Sequence, residues 1–166
     1  MTDATDRFGL PLIQPGQAQK ELFHNEALAL LDGAVHPAAE TRGDDVPPVS
    51  PAYGQGWIVG TAPTGDWAGH ADKFAIWTGG GWRFVESVEG MQIWLRDSGV
   101  FSFWTGSEWR DGEQVCDALV IAGQTVVRQQ QPAVPDASGG AIIDGEARSA
   151  IAAILLALRT HGLIAT

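Results

Sequence analysis

The chain has 166 residues, of which 45% are apolar and 18% charged, with a formal net charge of −10. That length fits one domain of ordinary size or a small domain with helical arms. Ten Lys and Arg residues scattered without a basic run exclude a nucleic-acid binder, because phosphate contacts need basic clusters. The charged share is below the roughly one quarter of average soluble domains, which is expected where much surface is buried against copies or partners. Cys116 is the single cysteine, so an intrachain disulfide and a Cys-based metal framework are excluded. It reads as a semi-buried small apolar residue.

In chain order, Met1 to Arg7 is polar and acidic, unlike the basic-then-apolar opening of a signal peptide. The longest apolar run, Ala150 to Leu158, is too short to span a bilayer. The expectation is a soluble product made in the cytoplasm without a signal peptide, with no membrane insertion. Residues 1–36 form an N-terminal helical segment. Pro15-Gly16 opens a helix from about Gln17 to Val35 and Pro37 closes it, with Leu22, Leu28, Leu31 and Val35 near helical spacing and Lys20, Glu21 and Glu26 on other faces. Residues 37–56, with Pro47, Pro48, Pro51, Gly54 and Gly56, read as an extended connector.

Residues 57–128 form a Trp-rich β domain, fronted by the alternation Trp57-Ile-Val-Gly60. Trp67, Trp77 and Trp82 return 27 residues later as Trp94, Trp104 and Trp109, and Phe74, Thr78 and Gly79 return as Phe101, Thr105 and Gly106. A fixed internal period signals duplication of one supersecondary unit. Each copy runs through apolar residues to a Gly-containing turn and then places a second Trp, the pattern of a β-hairpin with a three- to four-residue loop.

A strand over Ala118-Leu-Val-Ile-Ala122, continuing into Thr125-Val-Val127, is followed by a linker over residues 129–140 with three consecutive Gln, two Pro and Gly139-Gly140. Residues 141–166 hold a helix from about Asp144 to His161. Asp144 suits the N-cap, Glu146 the first turn, Arg159 and His161 the last, and Gly162 the stop. Ala147, Ile151, Ile154 and Leu158 step by 4, 3 and 4, a heptad seam. Ile at both kinds of core position shifts coiled coils towards trimers or tetramers, and a helix this short must pack on something. Two partners remain open: the chain's own hairpins, or identical helices from two other chains.

Three segments resemble the DUF2793 proteins and their associates. Leu10-Pro-Leu-Ile-Gln-Pro-Gly-Gln-Ala-Gln-Lys-Glu21, with Asn25-Glu-Ala-Leu28 and Leu31-Asp32, looks like that family's opening signature, and Gly60-Thr-Ala-Pro-Thr-Gly-Asp-Trp-Ala-Gly69 with the Trp-Thr-Gly hairpins looks like its middle. Gly139-Gly140, Asp144-Gly-Glu-Ala-Arg148, Ala150-Ile151 and Leu158-Arg-Thr-His-Gly-Leu-Ile164 resemble a C-terminal module of phage-derived proteins of alphaproteobacteria. The resemblance covers most of the chain and implies a phage, prophage or gene-transfer-agent context, in a tail fibre, head fibre, spike or adaptor. It brings no catalytic residues to carry over. It also makes Gln14, Gln17, Gln19, Lys20, Phe23 and Asn25 candidates for attachment to the particle; the alternative is helix-start chemistry with a packed Phe.

Candidate chemistry is sparse. Asp66, His70 and Asp72 sit close together but in a Gly-rich, loop-like segment that assures neither helical nor strand-face presentation. No Ser lies in Gly-x-Ser-x-Gly, and Gly79-Gly-Gly81 is not followed by Lys-Ser/Thr. Seven Trp make sugar stacking the better alternative, against the core reading in which each Trp buries roughly 150–250 Å². Trp77, Trp82, Trp104 and Trp109 read as core; Trp67 and Trp94, leading each repeat beside polar turns, read as surface candidates for glycan stacking. The reading is an α+β, non-enzymatic, homotrimeric virion component without cofactor or metal. It contacts other particle proteins or host-surface polysaccharide, and its copies associate through Ala147, Ile151, Ile154 and Leu158.

Overall fold

In the computed structural model residues 4–13, 20–141 and 144–165 are described. The fold is α+β; among the described residues it comprises α1 at Lys20–Ala34, ten strands and α2 at Gly145–Thr160. The chain divides into two compact units, Met1–Glu113 and Gln114–Thr166.

The first unit holds two four-stranded sheets of the same plan. One takes the order β2 (Arg42–Asp44), β3 (Gly56–Val59), β4 (Phe74–Thr78), β5 (Gly81–Val85); the other takes β1 (Ala38–Ala39), β6 (Gln92–Leu95), β7 (Val100–Trp104), β8 (Trp109–Asp111). In each, a short strand runs parallel to the next and the remaining pairs are antiparallel. Residues 37–56 are therefore not a connector. They deliver one edge strand to each sheet, and Ala39 is fully buried. The pairing is anchored by Trp94 N–H donating to Pro37 O (3.0 Å) and Ile58 N–H to Thr41 O (3.1 Å).

Strand alternation sorts the side chains. Ile58, Phe74 and Ile76 from the first sheet merge with Ile93, Leu95, Trp104 and Trp109 from the second in one core, with Ala39. The opposite face of the first sheet carries Trp57, Val59 and Ala75 in a second cluster with Trp67, flanked by Trp77, Trp82 and Phe84. Trp77 faces Trp82 across β4 and β5, and Trp104 faces Trp109 across β7 and β8. Trp104 and Trp109 are buried and Trp77 and Trp82 half-buried, as the core reading expects.

Helix α1 approaches β5, with Glu26 paired to Arg83 at 2.6 Å. It turns inward the Asp32–Gly33 side rather than the expected leucine face: Leu31 and Val35 are 51% and 46% exposed. Gly33 permits the approach, since a Cβ there would lie 2.0 Å from Ile76 Cδ1.

In the second unit, β9 (Leu119–Ile121) and β10 (Gln124–Val127) pair antiparallel. The expected continuous strand is instead a hairpin, because Ala122 and Gly123 both adopt positive φ (48° and 77°), the requirement of a type I′ turn. The hairpin clusters with residues 114–166 and not with the Trp-rich unit. The expected 129–140 linker is held against the α2 end of the unit: Gln131 N–H donates to Leu163 O (2.9 Å) and Ala165 N–H to Gln131 O (2.7 Å), and Arg159 reaches Val134 O (2.6 Å) and Asp136 (3.1 Å). Helix α2 begins as expected: Asp144 Oδ1 accepts from Ala147 N–H at 2.9 Å, and Gly162 at φ 69° ends it.

Candidate functional site

Trp67 and Trp94 share a spacing but not a position. Trp67 ends a 3-10 turn (Gly65–Trp67) in the long loop between β3 and β4, whereas Trp94 lies within β6. The loop folds back because Asp45 holds it: its carboxylate accepts from Ala62 N–H (2.9 Å) and its carbonyl from Thr64 N–H (2.7 Å). That drives Trp67 onto the sheet, where its ring centroid sits 6.3 Å from Trp57 and 5.2 Å from Trp82. Trp67 is 0% exposed, so its assignment as a surface stacking residue is corrected. It is the plug of the second core cluster.

Trp94 keeps the surface assignment at 39% exposed. β6 turns Ile93 and Leu95 inward, so Trp94 must point outward, opposite Phe101 of β7. The two rings meet edge to face at 5.0 Å and 74°. Phe101 is 51% exposed, and the half-buried Phe103 continues the same face beside Arg110. Arg110 is held by Glu108 (2.8 Å) and Glu113 (3.5 Å), and the hydrogen bond to Glu108 chiefly raises its pKa. An exposed aromatic cluster rimmed by charge suits apolar contact with polar orientation at its edge. Phe101 and Phe103 were not expected there; period-two alternation around Ile93 and Leu95 was the available signal.

The Asp66, His70 and Asp72 segment is a structural loop. His70 stacks flat on Phe84, centroids 3.6 Å apart and 1° from parallel. Asp72 (φ 61°) offers its carbonyl to Trp109 Nε1–H (2.8 Å) and to the Ser87 hydroxyl (2.6 Å). Among the described residues no three His, Cys, Asp or Glu converge as a metal-ligand set.

At the N-terminal end, Gln14, Gln17 and Gln19 lie outside the described residues, as does the side chain of Lys20. Asn25 brackets the incoming chain, accepting from Ile13 N–H (2.9 Å) and donating to Ile13 O (3.1 Å). Phe23 is 81% exposed, not packed. A groove of about 270 Å³ runs between α1 and β5, lined by Leu30, Leu31, Ala34, Phe84, Val85 and Glu86.

The sequence reading missed Asp32. It is 4% exposed, and its carboxylate accepts from Thr5 Oγ1–H (2.8 Å), Arg7 N–H (2.7 Å) and Phe8 N–H (2.6 Å). Arg7 completes the joint by donating to the carbonyls of Asp32 (2.7 Å), Gly33 (2.9 Å), Val35 (3.3 Å) and His36 (2.8 Å). The Asp32 and Gly33 carbonyls are among those a helix end leaves unpaired, and a cation belongs there; α1 has no basic residue of its own in the last turn. Burial lowers the Arg7 pKa, the Asp32 charge works against that, and Arg96 adds to the lowering.

On α2, Ala147 is exposed, Ile151 and Ile154 are 44% and 59% exposed, and Leu158 is half-buried. The helix buries Leu155 (6%), which flanks the seam, four residues from Ile151 and three from Leu158. Three of the four seam residues are thus exposed among the described residues. No helix among the described residues is long and apolar enough to cross a membrane.

The sequence model of a family described as "Protein of unknown function (DUF2793)" matches residues 24–110. No curated protein matches the chain.

Proposed function

The chain belongs to the DUF2793 family, and on that premise we propose that it is a non-enzymatic structural component of a phage-like particle. Its role is that of a tail fibre, head fibre, spike or adaptor, assembled as a homotrimer and joined to other particle proteins. The observation that carries the reading is the uncovered seam of α2. Ile151 and Ile154 are exposed, so these two heptad positions are available to identical helices. Ile at both core positions favours more than two strands. In this reading the two Trp-Trp hairpins descend from one duplicated unit and form a rigid head. The N-terminal segment around Phe23 faces the particle. The test is to purify particles from producing cells through a density gradient. The chain comigrates with the particles if the reading holds; recovery only in the soluble fraction overturns it.

A second reading, a module that binds host-surface polysaccharide, is favoured by one observation, the exposed Trp94–Phe101 pair. Replacing Trp94 by Ala then abolishes binding to the polysaccharide while leaving the fold intact. Unchanged binding removes this face from the account.

A further inference from the structure

The seam on α2 is not the only uncovered apolar surface of residues 114–166. In the β9–β10 hairpin, Leu119, Val120, Ile121, Val126 and Val127 are 51%, 55%, 57%, 52% and 40% exposed. Successive side chains point to opposite sides of a strand, so Leu119 and Ile121 lie on one face and Val120 on the other. Val127 is opposite Leu119 and shares its face, Thr125 is opposite Val120, and Val126 is the extra residue of a bulge between them. Each face thus carries exposed apolar side chains, Leu119, Ile121 and Val127 on one and Val120 on the other, and neither strand contains a charged residue. An isolated two-stranded hairpin is marginal in water, and both of its edges invite pairing.

The rest of the unit does not cover it. Among the described residues of this unit, the buried apolar side chains are Leu155 and Ile164, whereas eleven large apolar side chains are 38–71% exposed. Most of the unit's large apolar side chains are therefore left in contact with solvent, the reverse of a domain that closes its own core.

We propose that the β9–β10 hairpins of associating copies pack against one another, forming one intermolecular core with the α2 seams. This rests on the reading of α2 as the inter-chain seam. The occupant of the hairpin faces is a second copy of this chain, for three reasons. Hairpin and helix belong to one compact unit, so helices that associate carry their hairpins with them. A foreign globular surface covers one face of a hairpin, whereas copies arranged around an axis cover both. The strands also offer no charge with which a different partner would be oriented and selected.

Cys116, just before β9, is exposed rather than semi-buried as expected, and as the single cysteine it gives a site-specific probe. The full chain is labelled there with pyrene maleimide, and its native mass is measured in parallel. The expected result is a trimer with excimer emission that falls when unlabelled chain is exchanged in. In the Val120→Asp/Ile121→Asp variant, with one charge on each face, excimer emission is lost and self-association weakens by about tenfold or more. Tryptophan emission stays unchanged, since all seven Trp lie before residue 114; Ile121→Leu behaves as the wild type. A trimer without excimer, undisturbed by the two aspartates, overturns the hairpin proposal and leaves the α2 seam standing. A monomeric wild type overturns both.

Discussion

Replacing Asp32 by Ala tests whether one buried carboxylate fastens the N-terminal turn to α1. The carboxylate accepts three hydrogen bonds at 2.6–2.8 Å while 4% exposed. A hydrogen bond to a charged group contributes about 1.5–3 kcal/mol. Three such bonds set an upper limit of about 9 kcal/mol. The segment Thr5–Phe8 lies near the surface, so its freed N–H groups recover part of this from water. The expected loss is about 3 kcal/mol, a large fraction of the ~5–15 kcal/mol of a typical domain. Urea unfolding followed by Trp emission reads the first unit alone, because every Trp lies there. With a slope of about 1.5 kcal/mol per M, the midpoint falls by about 2 M. Asp32→Asn keeps one acceptor oxygen and falls by less, and Thr5→Ala, which loses the bond to Asp32 and the one accepted from Leu10 N–H, costs about 1–2 kcal/mol. A midpoint shift under about 0.5 M for Asp32→Ala refutes the reasoning.

Trp67→Ala empties the second core cluster and costs about 3–5 kcal/mol by the same assay, whereas Trp94→Ala costs under about 1 kcal/mol; equal costs would restore Trp67 to the surface. Gly60→Ala places a Cβ 2.6 Å from the Gly43 carbonyl and 2.2 Å from Asp45 Oδ1, and destabilises by about 1–3 kcal/mol. A neutral Gly60→Ala in urea unfolding would show that the Asp45-held loop moves freely.

What was legible in the sequence was local. Asp144, Glu146, Arg159 and Gly162 mark the ends of α2 through contacts within a few residues, and the structure places them as read. The pairs Trp77–Trp82 and Trp104–Trp109 were equally legible, since each spans one tight turn. What was missed depends on distant partners. Ala38–Ala39 and Arg42–Asp44 are too short to show any period, and become strands only because β6 and β3 accept them. Asp32 looks like a solvated helix position until Thr5, Arg7 and Phe8 are brought to it across 24 to 27 residues. The 27-residue beat misled at Trp67 because the chain between β3 and β4 (residues 60–73) is longer than that between β6 and β7 (residues 96–99). The spacing of Trp67 and Trp94 is thus a coincidence laid over two real hairpins. Along α2 the heptad was visible, but the helix's burial of Leu155 was not, because the residue lies off the seam.

The proposal as a whole turns on whether copies associate through α2. Light scattering on the full chain and on the Ile151→Glu/Ile154→Glu variant measures this directly. Both residues are exposed within the chain, so the variant leaves the monomer fold intact. The account predicts a wild-type mass near three times 17.6 kDa and a variant that falls to a single chain. A wild type at one chain mass, or a variant that stays trimeric, contradicts it.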